Sequence, residues 1–424
     1  MSAIGAFAGL VLAIMLILKK IPPVYSLMLG ALGGGFVAGM GLGGTVTAMI
    51  SGVNDVTPAI VRVLAAGVLS GALVVSGAAV TISRVIVDRL GPKHVFLALA
   101  LATMLLTTTG VFIDVAVITI APIALTLARR LNISRAAVLV MMIGGGKCGN
   151  VISPNPNTII AAENFGADLY SVMIANIVPA VIGLAVTVYV VGRMVKTLPS
   201  ADGLLEAEAA EAGSLPDNPE KALPSFGAAI SGPVVAILLL ALRPIAGISV
   251  DPLIALPAGG LVGLLVMGCC GRLLESLRYG LEKMGSVAVL LIGTGTIAGI
   301  IKASTLKDVI LQALSHAGLG EALVAPVSGM LMSAATASTT AGATVASASF
   351  ADIILAAGIS GVWGAAMVNA GATVFDHFPH GSFFHATGGV AGLDMRRRLR
   401  LIPYESLIGF TLAATSTIAY YVAG

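Results

Sequence analysis

Two stretches of this 424-residue chain carry the residue types that could do chemistry, and both lie between strongly apolar segments. The first, Gly144 to Thr158, reads Gly-Gly-Gly-Lys-Cys-Gly-Asn-Val-Ile-Ser-Pro-Asn-Pro-Asn-Thr. The second, Asn369 to Ser382, holds Asp376, His377 and His380. A lone carboxylate, Asp114, stands in an otherwise apolar segment. In hydrocarbon an unpaired backbone N–H or C=O costs several kcal/mol, so broken backbone at membrane depth survives only where protein or a cavity shields it. Such a stretch is either a site or a loop outside the membrane. Its recurrence in both halves of the chain favours the site.

A ligand held there would meet positive charge and neutral hydrogen-bonding groups, as suits a carboxylate carried on a hydroxylated chain. Lys147 offers the full charge, and unwound backbone and half-helix N-termini offer partial ones. Asn155, Asn157, Thr158, Ser338, Thr339 and Thr340 are the hydrogen-bonding candidates, and prolines hold the backbone open around the two asparagines. Ser76 and Ser304, at the turns of two long interrupted apolar segments, are candidates for closing over the ligand. The competing reading of each hydroxyl is a bond to its own helix. Asp114 costs about 2.5 kcal/mol or more to insert, so it serves an ion pathway or a structural pair with Lys147 or nearby threonines. Asp376, His377 and His380 form the second titratable group, as a proton exit or an interfacial loop, and His385 goes with that loop.

The elements that must position these residues are membrane helices. With 57% hydrophobic and 10% charged residues and a mean hydropathy of +1.02, the chain is far from a soluble domain, where about 25% of residues are charged. Windows of about 20 apolar residues recur throughout, and the first ends in Lys19-Lys20 without a cleavage motif, as a true span would. Cys148, Cys269 and Cys270 read as buried small residues rather than a disulfide framework or metal site. Nothing points to a metal, a cofactor or nucleic acid.

The order of pieces repeats. Residues 1–196 predict spans at 3–18 and 24–42, a polar stretch at 43–57, a re-entrant hairpin at about 58–91, broken helices at 95–128 and 136–162, and a span near 171–193. Residues 197–225, acidic and proline-containing, read as a solvated linker. Residues 226–424 retrace the pattern: spans at 226–243 and 252–270, an amphipathic piece at 271–285, a hairpin at about 286–317, broken helices at 321–352 and 361–390, and a span at 403–422. Gly71 precedes Ser76 as Gly299 precedes Ser304, and the threonines at 107–109 answer those at 336–340. Placing the Lys and Arg clusters inside puts both termini outside and inverts the halves, with Arg84, Arg89 and Lys93 as exceptions.

The run Leu90-Gly-Pro-Lys-His94, the piece Phe112 to Pro122 with Asp114, the stretch Gly144 to Thr158 and the end from Asn369 to Ile408 together resemble the gluconate permease family. Ser153-Pro154-Asn155-Pro156 is similar to that family's Pro-Pro-His-Pro run, with Asn155 in place of histidine, and Lys147 is an addition. Asp376 to Phe384 is loosely similar to its His-Val-Asn-Asp-x-Gly-Phe-Trp run. The wider resemblance is to the ion transporter superfamily, in which Ser338-Thr339-Thr340 would stand in for the Ser-Asn-Thr motif. The resemblance implies an all-α polytopic protein of two inverted repeats working as an elevator. A scaffold (1–56, 171–270, 403–424) would hold a moving domain (57–165, 286–390) in a homodimer, in a bacterial inner membrane. It implies proton-coupled symport of gluconate or a related sugar acid, with Asp114, Asp376, His377 and His380 as proton-coupling candidates.

Two alternatives stay open: a sodium-coupled carboxylate carrier or antiporter of the same fold, and an intramembrane hydrolase using Asp376, His377 and Ser382. The hydrolase offers no evident oxyanion hole and leaves the duplication unexplained. An ATP-driven pump would need a Gly-x-x-x-x-Gly-Lys-Ser/Thr loop, which the chain lacks. A transporter rather than an enzyme is the expectation.

Overall fold

Glycine-lined faces set how closely the helices approach. The computed structural model describes residues 2–195, 223–306, 309, 312 and 321–423; most of the expected linker 197–225, and most of 307–317, lie outside these. Helices α1 (Ala3–Leu18) and α2 (Pro23–Val37) cross where a Cβ on Gly30 would lie 2.5 Å from the Gly9 carbonyl. Helices α11 (Phe226–Ala246) and α12 (Pro252–Val266) meet in the same way, with Gly259 set 2.6 Å from the Gly232 carbonyl by the same measure. Only small residues permit backbones this close.

Between these pairs runs α3 (Gly41–Val75), about 50 Å long at 1.5 Å per residue, packed along α13 (Leu273–Lys302). Here the sequence expectation changes. The polar stretch 43–57 is not a connection but the first half of α3, and 271–285 belongs mostly to the first half of α13. A helix whose two halves face different surroundings changes composition midway, and in sequence that change looks like a boundary. The interruption at Ser76-Gly77 is real: Gly77 takes a left-handed φ of +82°, and α4 (Ala78–Leu90) starts there. Past Gly91 and Pro92 the chain bends by 102° into the segment ending at Thr108.

The remaining helices are short and interrupted. Helix α5 (Val95–Thr108) stops before Gly110 and α6 (Ile113–Leu131) follows; α7 (Arg135–Asn150) stops before Pro154 and α8 (Pro156–Asn164) follows. Helices α9 (Leu169–Ala175) and α10 (Ile177–Ala185) close the first half, the latter running on through a π-helical stretch. In the second half α14 (Val324–Thr336) and α15 (Thr339–Ala356) are parted by Ala337, held at φ +48°. Helices α16 (Gly361–Ala372) and α17 (Ser382–Val390) are parted by the titratable stretch, and α18 (Met395–Leu399) and α19 (Ile402–Ala423) complete the chain.

Packing sorts these elements into two bundles. Helices α1, α2, α3, α11, α12 and α13 pack on one another, and α5 to α8 with α14 to α17 form the other body. Helices α10 and α19 pack together and against α7 and α16, so 171–193 and 403–422 join the body of broken helices rather than the scaffold implied by resemblance. Among the described residues the fold is all-helical, and six helices are long and apolar enough to cross a membrane, or seven with the bent pair.

Candidate functional site

Four chain breaks converge in the second bundle. Asn155 caps α8, its Oδ1 accepting from the Thr158 N–H at 3.1 Å, while its Nδ2 donates to the Asn150 carbonyl at 2.8 Å. Its side chain therefore ties the two ends of the α7–α8 break together. Ser338 caps α15 through the Ala341 N–H at 3.2 Å. The two half-helix N-termini so prepared meet: the Thr340 hydroxyl donates to Asn157 Oδ1 at 2.6 Å. Asn369 Nδ2 donates to Thr158 Oγ1 at 3.1 Å, adding α16 to the junction. These bonds span 183 and 211 residues of sequence, so the two interrupted stretches form one constellation. Two helix N-termini aimed at one place carry partial positive charge, which suits an anion.

Beside this junction lies a buried ionic cluster. Lys147, wholly buried in the last turn of α7, donates to Asp376 Oδ1 at 2.6 Å and to the Thr373 carbonyl, with His377 Nδ1 at 3.0 Å. Asp376 is bound on its other oxygen by the Thr339 hydroxyl at 2.5 Å, which links the cluster to the first residue of α15. His377 Nδ1 also lies 3.0 Å from Asp376 Oδ1, and its Nε2 faces the Ile402 carbonyl at 3.2 Å and Ser406 Oγ at 3.1 Å. Glu405 Oε2 stands 4.0 Å from His377 Nδ1 and is clamped by Arg398. With His377 neutral, two cations and two carboxylates balance, which is what burial demands.

The cluster changes the reading of Lys147. Its charge is matched by Asp376, so it is not an open anion receptor as it stands. Asp114 is not its partner. That residue stands partly buried in the first turn of α6, directly after the break at Gly110, and not in the middle of an apolar helix. Among the described residues no ion pair or hydrogen bond engages its carboxylate. Helix α5 ends early because Thr107, Thr108 and Thr109 bond back to carbonyls of their own last turns and Gly110 turns left-handed at φ +96°.

The remaining candidates separate. His380 Nε2 lies 3.2 Å from the Ala335 carbonyl, at the α14–α15 break, whereas His385 faces the Pro379 carbonyl at 2.9 Å on the exposed side. Among the described residues the Ser76 hydroxyl bonds only within its own turn, accepting from the Ala78 N–H at 3.2 Å. Ser304 does likewise with Ile301 and Leu306, and lines a separate cavity of about 220 Å³ beside Glu163 and Asn164. Neither hydroxyl bonds the converging breaks.

Sequence reasoning missed Glu405 and Arg398. Arg398 hides within a run of arginines that reads as a membrane-edge cluster, yet it is 1% exposed, with its guanidinium 4.6 Å from the Phe384 ring centroid. Glu405 carried a usable signal: a carboxylate near the start of an apolar span, the criterion that picked out Asp114. Ser382, the third member of the hydrolase alternative, is exposed at the start of α17 with no hydrogen bond to His377 among the described residues.

Comparison with known proteins shows a transporter. An uncharacterized transporter of Haemophilus influenzae is 52% identical over 425 residues, covering 99% of this chain and 98% of that protein. The D-serine transporter DsdX of Escherichia coli K12 is 25% identical, covering 78% of each chain. A high-affinity gluconate transporter of the same organism is 23% identical, covering 87% of this chain and 88% of its own. The crystal structure of the Alcanivorax borkumensis YdaH transporter, described as having an unusual topology, matches with a TM-score of 0.51 at 16% identity, over 90% of this chain and 88% of that one. The relatives are transporters, not enzymes, and the model of the GntP family permeases matches residues 1–422. The chain is a multi-pass membrane transporter belonging to the GntP permease family.

Proposed function

We propose that this permease is a secondary active carrier that moves gluconate or a related small hydroxylated carboxylate together with a proton. The observation that carries the reading is the Thr340–Asn157 bond, which joins the N-termini of two half-helices from opposite halves of the chain at 2.6 Å. Two such N-termini supply positive potential for a carboxylate, and Asn157, Thr158, Thr340 and Asn369 supply donors and acceptors for hydroxyls. The relatives named for gluconate and for D-serine transport fit one demand, since both molecules carry a carboxylate and at least one hydroxyl. Proton coupling is supported by the buried Asp376–His377 contact at 3.0 Å, with Asp114 a separate carboxylate at the α5–α6 break.

The halves are read as inverted repeats, with one revision of the hairpins. Residues 95–131 and 324–356 are the re-entrant pair, one element downstream of the segments expected from sequence. In support, Pro92 to Leu97 line one cavity with Leu131 and Ile133, so α5 starts where α6 ends. Ser333 sits against Gly342, as in a hairpin folded at Ala337. With this assignment Arg84, Arg89 and Lys93 fall on the same side as Arg129, Arg130 and Arg135. The exceptions to a positive inside vanish, which supports both termini outside and the linker near Glu211 inside.

The bundle of broken helices would then move as the elevator against a scaffold of α1 to α3 and α11 to α13, in a homodimer of the bacterial inner membrane. Sodium coupling, or exchange, is the second reading of the same fold. Uptake of labelled gluconate and D-serine into proteoliposomes tests these: accumulation under an imposed pH gradient is expected. Accumulation that follows a sodium gradient alone would replace the proton with sodium, and no uptake of either solute would overturn the substrate class.

A further inference from the structure

We infer that Glu405, clamped by Arg398, is the acceptor to which the coupling proton passes from Asp376 by way of His377, and that protonation of Asp376 releases Lys147 to the substrate carboxylate. The inference rests on the proton-symport reading and assigns to it two residues and an order of events. The geometry is specific. His377 Nδ1 is 3.0 Å from both Asp376 Oδ1 and Lys147 Nζ and 4.0 Å from Glu405 Oε2, so a single ring nitrogen faces two carboxylates and the ammonium that matches one of them. Its Nε2–H is directed to the Ile402 carbonyl and Ser406 Oγ, which leaves Nδ1 as the basic atom.

The charged and titratable groups around the ring come from four elements: Lys147 from α7, Asp376 from the α16–α17 connection, Arg398 from α18 and Glu405 from α19. Arg398 binds both oxygens of Glu405 and also reaches Thr387 Oγ1 at 3.3 Å and the Phe384 carbonyl at 3.3 Å. Its neighbours Arg396 and Arg400 are exposed, so the pair leads from the buried cluster to the basic edge of the protein. A structural clamp needs Arg398 and Glu405 but not a histidine placed between two carboxylates.

The steps balance. Hydronium from the acidic outer solution protonates Asp376 and leaves as water, and the Lys147–Asp376 ion pair becomes a bond to a neutral acid. The ammonium, no longer matched, then attracts the substrate anion. Thr339 reports the change to the substrate junction, because its hydroxyl holds Asp376 while its neighbour Thr340 holds Asn157. For release, the proton moves from Asp376 to His377 Nδ1, giving a carboxylate and an imidazolium, and then from Nδ1 to Glu405 Oε2 and on to water. Asp376 recaptures Lys147 and the anion leaves. One anion and one proton cross together, with no net charge moved.

The test uses the full-length protein in proteoliposomes, with gluconate as probe, comparing pH-driven accumulation with counterflow under equal pH. In Glu405→Gln, accumulation should fall at least about ten-fold more than counterflow, and Glu405→Asp should recover part of it. Because Glu405→Gln leaves Arg398 buried and unmatched, the double variant Arg398→Gln/Glu405→Gln provides a charge-balanced version with the same expectation. A pH-indicator dye should show proton uptake on gluconate addition to the wild type and its loss in Asp376→Asn. Equal losses of accumulation and counterflow in both Glu405 variants would make the pair structural and overturn the relay. A wild type that accumulates under sodium but takes up no proton would overturn the coupling reading itself.

Discussion

Replacing Lys147 by methionine gives the most direct measure of the buried cluster. The side chain is 0% exposed and its ammonium has Asp376 Oδ1 at 2.6 Å. Methionine fills much of the same volume without charge, so the chief loss is the ion pair. Asp376 then keeps the Thr339 hydroxyl at 2.5 Å and the imidazole, but its negative charge is unmatched in a site with 3% side-chain exposure. Stranding one member of a buried pair costs about 3–5 kcal/mol, whereas removing both charges is often near neutral. Lys147→Met should therefore lose about 3 kcal/mol or more, Asp376→Asn, which strands the ammonium instead, should lose about as much, and Lys147→Met/Asp376→Asn should regain most of it, a coupling of roughly 5 kcal/mol in the double-mutant cycle. Thermal or denaturant unfolding in detergent, followed by the fluorescence of the lone tryptophan, Trp363, reads this. Additive effects of the two substitutions would refute the pairing, as would a Lys147→Met protein as stable as the wild type.

Four further outcomes follow from the same geometry. Asn157→Ala and Thr340→Val should each weaken gluconate binding about ten-fold. The double variant should weaken it far less than a hundred-fold, because the two side chains bond each other; isothermal titration measures both. Asp114→Asn, which breaks no ion pair among the described residues, should shift unfolding by no more than about 0.5 kcal/mol in the unfolding assay above. Gly145→Ala sets a Cβ 1.9 Å from the Ala100 carbonyl and should destabilise by about 1–3 kcal/mol or more in the same unfolding assay. Cys270 is exposed and Cys148 buried, so a membrane-impermeant maleimide should label Cys270 from the inner side only; labelling of intact cells would reverse the topology.

The site was legible where residue type alone forces the backbone. Pro154, Pro156 and the asparagines around them had to interrupt a helix, and the structure turns Asn155 into the cap of α8. That Thr340 finds Asn157 could be anticipated only as a meeting of two breaks, not as a particular bond. The partner of Lys147 was not legible at all. Asp114 and Asp376 were both available, and the choice depends on where α6 begins, which turns on Gly110 and the back-bonded threonines before it. Arg398 illustrates the limit from the other side: among Arg396, Arg397 and Arg400, nothing in its type distinguishes the one that turns inward to meet Glu405.

The hairpin shift proposed above has a physical cause common to both halves. Hydropathy sees the middle of α3 and of α13 as the start of an apolar segment, because the first half of each helix carries polar residues such as Asn54 and Asp55, or Arg278 and Lys283. Helix continuity depends instead on backbone bonding, and packing of α3 and α13 along their length holds it through such a change of surroundings, although α3 contains Pro58 and several glycines. Three of the true interruptions are marked by left-handed residues, Gly77, Gly110 and Ala337, of which only the glycines announce themselves, whereas the α7–α8 break is marked by its prolines. Moving each hairpin by one element transfers Arg84, Arg89 and Lys93 to the side already occupied by Arg129, Arg130 and Arg135. The charge pattern that looked exceptional under the first assignment thus becomes evidence for the second, since a positive-inside arrangement with fewer exceptions needs no compensating explanation.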